Sequence, residues 1–135
     1  MRLYGEILTD LLGRIPNNGI VVGVVSDGEV AESFLLDPRC VRSTAVDALR
    51  WDHEPIDMLV VDRRADGVEV REAITQWMMH VATGGFCVLL GWTPGEKDAP
   101  FPPAGWRGVD SRVWVPVRCE GTAMSWMCVG AMTDV

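Results

Sequence analysis

The chain has no apolar run that approaches the roughly 20 residues needed to cross a bilayer. Its longest, Phe86 to Leu90, is the size of a strand. The first residues, MRLYGEILTDLLGRIP, interrupt their apolar character with Glu6 and Asp10 and contain no small-residue cleavage site, which argues against a secretory signal. A membrane partner is therefore not expected, and the cytoplasm is the expected compartment. Paired cysteines are also lacking. Cys40, Cys87, Cys119 and Cys128 form no C-x-x-C motif, and the only histidines are His53 and His80. A structural zinc site needs clustered ligands, so no metal is expected. In a reducing compartment the cysteines are expected as thiols, although Cys119 and Cys128 are placed to face each other across a hairpin. A catalytic cysteine needs an activating base nearby, and no spacing supplies one. Positive charge is in deficit: 12 Lys+Arg against 19 Asp+Glu leave a formal net charge of −7. Such a surface repels phosphate backbones, which makes nucleic acid a poor partner. The chain shows no internal repeats or low-complexity segments.

What is present is the composition of one packed domain spanning 1–135: 135 residues, 48% hydrophobic and 23% charged. Tyr4, Ile7, Leu8, Leu11, Leu12 and Ile15 fall on one helical face, and Pro16-Asn17-Asn18-Gly19 ends that helix. Ile20 to Val25 is a β-branched run without polar alternation, the pattern of a strand buried on both faces. Ser26-Asp27-Gly28 turns the chain into a short helix over 29–36, with Ala31, Phe34 and Leu35 inward. Cys40 to Val46 is β-rich but interrupted by Arg42, Ser43 and Thr44, and Ala48 to His53 reads as a helical turn. Ile56 to Val61 repeats the buried-strand pattern and ends at Asp62. Val70, Ile74, Trp77, Met78 and Val81 then predict a helix over 68–81, with His80 on its wet side and Thr83-Gly84-Gly85 as its cap. Phe86 to Leu90 is a third buried strand. A loop rich in proline and glycine covers 93–105, flanked by Trp92 and Trp106, one of which is placed to cover a pocket mouth. Residues 112–118 and 125–132 read as a hairpin in which Pro116 marks an edge or a bulge. The alternation gives an α/β fold: a three-layer, mostly parallel sheet with a C-terminal antiparallel hairpin.

The segment from Pro55 to Trp92, PIDMLVVDRRADGVEVREAITQWMMHVATGGFCVLLGW, resembles class I S-adenosylmethionine-dependent methyltransferases, in particular their small-molecule branch. Asp57, Asp62, Val70, Ile74, Trp77, His80, Gly84, Gly85 and Trp92 fall in register with that family's segment. The resemblance implies a Rossmann-like methyltransferase fold with one βα unit missing, because only one helix and one strand fit between Gly28 and Asp57. It also implies S-adenosylmethionine as the cofactor, with Ser26, Asp27, Gly28, Asp47 and Asp62 as the cofactor-binding residues. Asp47 stands either as the ribose-binding acid after the second strand or within a third-strand segment, STAVDALR, which leaves that acid missing.

Several residues depart from the family pattern. Val22 and Val24 stand where an acid and a glycine are usual, Ala65 where a histidine is usual, and Gly91 where an aspartate follows the last parallel strand. The residues support a reading without the family too. Open α/β sheets bind ligands at the carboxyl ends of their strands, which gathers Ser26, Asp27, Gly28 and Asp62 around one crevice. The bland roles are an N-cap for Asp27 and a helix N-terminal carboxylate for Asp62. Arg63-Arg64 reads as a solvated basic patch, or as a lure for an acidic substrate. Trp77 reads as core, Met78, Met79, Met124, Met127 and Met132 as gap fillers, and Trp51, Trp92, Trp106, Trp114 and Trp126 as core, pocket wall or interface anchors. The departures favour a catalytically degenerate member serving as a binding or structural protein. The alternative is an active small-molecule methyltransferase. A shortened sheet with exposed tryptophans leads to an expected homodimer.

Overall fold

The computed structural model describes residues 2–28, 30, 32, 34, 36–44, 47–48, 51, 55–65, 76–92, 106–107, 112–120 and 122–131. The expected loop over 93–105 and most of the expected helix over 68–81 lie outside them, as do Ala31, Leu35, His53 and Met132.

Strands form over each apolar run that predicts one, and also over 81–85 and 106–107, where none is expected. β1 is Val21–Val24, β2 Cys40–Arg42, β3 Ile56–Asp62, β4 Val81–Leu90, β5 Trp106–Arg107, β6 Arg112–Glu120 and β7 Ala123–Ala131. They make one mixed α/β sheet in the order β2-β1-β3-β4-β7-β6-β5. The first four strands are parallel to one another, with Val22 beside Leu59 and Leu59 beside Cys87. Antiparallel pairing enters only with the C-terminal strands, where Cys87 meets Trp126 and Trp114 meets Cys128. Strand alternation sends side chains to both faces, and each face carries its own core. Val22, Val24, Leu59, Val61, Cys87 and Leu89 join Trp77, Met78, Trp114 and Trp126 on one side. Val21, Met58, Val60, Val88 and Leu90 join Ile7, Leu8, Leu11 and Phe34 on the other.

α1, Arg2–Leu12, supplies the second face. Ile7 and Leu11 are fully buried and Leu8 nearly so, each contributing about 1.5–3 kcal/mol by leaving water. The helix ends at Leu12, earlier than its apolar stripe, because Arg14 and Ile15 bond back to the carbonyls of Leu11 and Leu12 in a tightened last turn. Ile15 still reaches the core. Arg39 fastens this end of the helix to the start of β2. It donates to the Ile15 carbonyl at 2.7 Å and pairs with Asp37 at 2.6 Å. Those Arg39 hydrogen bonds hold the Asp37 carboxyl down at about 2, against an ordinary 3.8. A depressed carboxyl stabilises the fold above its unfolded pKa, and that contribution drains away as pH falls from about 3.8 through about 2. Asp37→Asn is therefore expected to cost about 1 kcal/mol at neutral pH, discounted because the carboxylate is 20% exposed. Denaturant titrations of the two proteins should converge near pH 2.

Five expectations are corrected. Thr83-Gly84-Gly85 does not cap a helix. The helical turn stops at Met78, Val81 already pairs with Ile56, and the three residues bulge within β4, with Gly84 at φ +86. Cap and bulge both use the left-handed freedom of glycine. Cys119 and Cys128 do not face each other, because Cys119 pairs with Met124 and Cys128 with Trp114. The register shift at Pro116 is the bulge that this proline marks. The tryptophans whose side chains are described are not exposed: Trp77, Trp92, Trp114 and Trp126 are buried and Trp51 is half-buried. Trp92, with the Arg63 guanidinium 5.7 Å from its ring centre, belongs to the core rather than covering a pocket mouth. Met79 is 46% exposed and fills no gap.

Candidate functional site

From β1 the chain first adds β2 on one side and then, through β3 and β4, builds on the other. At such a reversal an open α/β sheet leaves a crevice beyond the carboxyl ends of its parallel strands. Ser26 and Asp27 follow β1. Arg42 ends β2 and is followed by Ser43 and Thr44. Asp62 ends β3 and is followed by Arg64 and Ala65. Ser26, Asp27, Arg42, Ser43, Asp47 and Arg64 line one cleft of about 530 Å³, within the usual size range of small-molecule sites.

Asp62 is the buried anchor of the cleft, 1% exposed. Ser26 Oγ donates to it at 3.2 Å from the neighbouring strand end. The Arg64 backbone N–H donates at 3.1 Å and the Arg64 guanidinium pairs with it at 3.1 Å. A buried carboxylate needs such partners. The backbone contact closes a tight Asx-type turn, with Ala65 N–H on the Asp62 carbonyl. Asp27 pairs with Arg42 at 2.7 Å, and Arg42 also donates to the Val25 carbonyl. Ser43 Oγ donates to Asp47 at 3.1 Å. The wall behind Thr44 is fixed by Trp77, whose Nε1 donates to the Thr44 carbonyl at 3.0 Å. His80 sits beside it with Nε2 2.8 Å from the Ala48 carbonyl. A carbonyl only accepts, so Nε2 carries the proton in that bond. His80 is thereby a structural tie.

The structure thus brings Ser26, Asp27 and Asp47 to one cleft, with Asp62 immediately behind it. Gly28 is not on the lining. Its φ of +132 serves the turn, and its carbonyl accepts the Glu32 N–H. Arg42, Ser43 and Thr44 were missed as site residues. Their signal is the polar break after a short β-rich run. Arg64 is exposed, as its solvated reading expects, and its guanidinium also neutralises Asp62.

The departures from the family pattern also have local causes. Gly91 adopts φ +100, and a Cβ there would lie 2.9 Å from Arg63 Cβ, so an aspartate does not fit without strain. Ala65 is buried and offers no acid–base group. Among the described residues no three His, Cys, Asp or Glu side chains cluster to hold a metal ion. No helix among them is long and apolar enough to cross a membrane. Burial pushes the Cys40 thiol up to about 12 and raises that of Cys87, so neither is a thiolate nucleophile at neutral pH. Comparison with protein-family models, with curated proteins and with solved structures finds no match to this chain.

Proposed function

We propose that the chain is a Rossmann-like, methyltransferase-like domain that has lost methyl transfer and acts as a binding protein through the cleft at the ends of β1–β3. The observation that carries this reading is how the buried strand-end carboxylate is used. Asp62 is committed to Ser26 and Arg64. A cofactor would have to break those contacts before gaining its own. The strand-end acid of the family is a glycine whose backbone excludes a side chain. The parallel run β2-β1-β3-β4, closed by antiparallel β7, and the single strand between Gly28 and Asp57 among the described residues support a shortened version of the fold.

Calorimetric titration with S-adenosylmethionine, paired with a methyl-release assay, tests the proposal. No saturable heat at micromolar cofactor is expected. A micromolar Kd would overturn the degenerate reading, and methyl release beside it would establish the alternative, an active small-molecule methyltransferase, which the size of the cleft favours.

Self-association belongs to the same proposal, through a surface other than tryptophans. Leu36 is 86% exposed and stands on the rim of a separate apolar groove of about 470 Å³ between α1 and the segment leading to β2. A knob beside a hole on one face suits a two-fold pair. Sedimentation is expected to show a dimer that Leu36→Asp converts to monomer. A parent protein that stays monomeric at high concentration would remove this part.

A further inference from the structure

We infer that the cleft takes a small zwitterion, a molecule with both a carboxylate and an ammonium group, which inserts into the ion pair between Asp27 and Arg42. This rests on the reading of the cleft as a ligand site and names the ligand's chemistry. Charge placement is the first argument. Among the described residues of the cleft, Arg64 is taken by the buried Asp62 and Asp47 accepts from Ser43, which leaves Asp27 and Arg42 as the pair that a ligand meets. A ligand of one sign entering there meets like charge as closely as opposite charge. An anion that takes Arg42 leaves the Asp27 carboxylate facing it, and a cation that takes Asp27 leaves the Arg42 guanidinium facing it. A zwitterion replaces one pair with two and leaves neither Asp27 nor Arg42 uncompensated.

The two ion pairs at the cleft differ in how easily they open. Asp62 is 2% exposed in its pair with Arg64 and is also held by Ser26, so that pair stays closed. Asp27 is 95% exposed and Arg42 36% exposed. Exposed pairs of this kind contribute little to stability, so opening this one costs little. The Val25 carbonyl, 3.3 Å from Arg42, keeps the guanidinium near the cleft when Asp27 releases it. The ligand's size and polarity follow from the remaining wall. Ser43 and Thr44 add hydroxyls, Val24, Val25 and Ala65 add small aliphatic surface, and no aromatic ring is among the described residues of the lining. A nucleoside base finds nothing among them to stack on, whereas an amino acid or dipeptide needs no stacking surface.

The test uses three probes of one size: alanyl-alanine, its N-acetyl derivative and its C-terminal amide, each titrated into the isotopically labelled full chain. Alanyl-alanine is expected to shift the amide signals of Ser26, Asp27, Ser43 and Thr44 saturably, with each blocked probe weaker by about ten-fold. Arg42→Gln and Asp27→Asn are each expected to weaken alanyl-alanine by a similar factor. Asp27→Asn is also expected to strengthen the N-acetyl probe, because it removes the repelling carboxylate. That gain is something a merely structural role for Asp27 would not produce. Equal binding of the N-acetyl probe and alanyl-alanine to the parent protein would overturn the zwitterion inference while leaving the cleft a ligand site. Failure of all three probes would overturn it as well. The titration with S-adenosylmethionine then decides separately whether the degenerate reading fails too.

Discussion

Trp77→Ala is expected to lower the stability of the fold by about 3–5 kcal/mol, the range for removing a fully buried tryptophan. Trp77 is 1% exposed. It packs edge-on against Trp51 at 5.5 Å between ring centres and against His80 at 6.2 Å. Its indole N–H holds the Thr44 carbonyl. The substitution therefore leaves a cavity beneath the sheet and releases the segment that carries Ser43, Thr44 and Asp47. Trp77→Phe separates the two effects. It keeps most of the volume and removes only the hydrogen bond, for an expected cost of about 1 kcal/mol. Urea titrations of the two variants give both values. A loss near 1 kcal/mol for the alanine variant would mean that Trp77 is not the centre of this face.

Gly23→Leu is expected to cost about 3 kcal/mol, the upper part of the range for overpacking. Gly23 lies in the middle of β1, with Val21 and Val25 on the same face. A Cβ built on it would come within 2.7–2.9 Å of the Phe34 ring. Phe34 is 1% exposed, so the ring has no solvent to retreat into. The ring uses the space that the missing side chain leaves, which is why this strand has a glycine between two valines. Phe34→Ala should be destabilising alone and should relieve part of the Gly23→Leu penalty when combined. The sign of that coupling is the check, since residues in contact do not add. Strict additivity would separate Phe34 from β1.

How far the fold was readable follows from what fixes each element. Val21–Val24, Ile56–Asp62 and Phe86–Leu90 were legible because strands buried on both faces permit almost nothing but apolar residues. The bulge at Thr83–Gly85 was not legible, since Gly84 at positive φ suits a cap and a bulge equally. The register that separates Cys119 from Cys128 depends on shifts in β6 that only the paired strands determine. Tryptophan exposure was misjudged because β6 and β7 turn Trp114 and Trp126 inward onto the Trp77 face, which their spacing along the chain does not reveal.

The site divides in the same way. Ser26, Asp27 and Asp62 were legible because parallel strands deliver their carboxyl ends to one edge. Arg42 and Arg64 were not, because a long side chain finds its partner only after the strands are side by side. Gly28 lies off the described lining, and the backbone freedom that suits it to a ligand contact equally suits it to a turn.

The parallel pairing of β1 and β3 carries the whole account, since it sets Ser26 beside Asp62. Cross-strand nuclear Overhauser effects measure it directly. The account predicts contacts linking Val22 with Leu59 and Val24 with Val61, and, across the next pair, Leu59 with Cys87. Contacts in the reverse sense, Val21 with Val61 and Val24 with Met58, would contradict it and disperse the cleft.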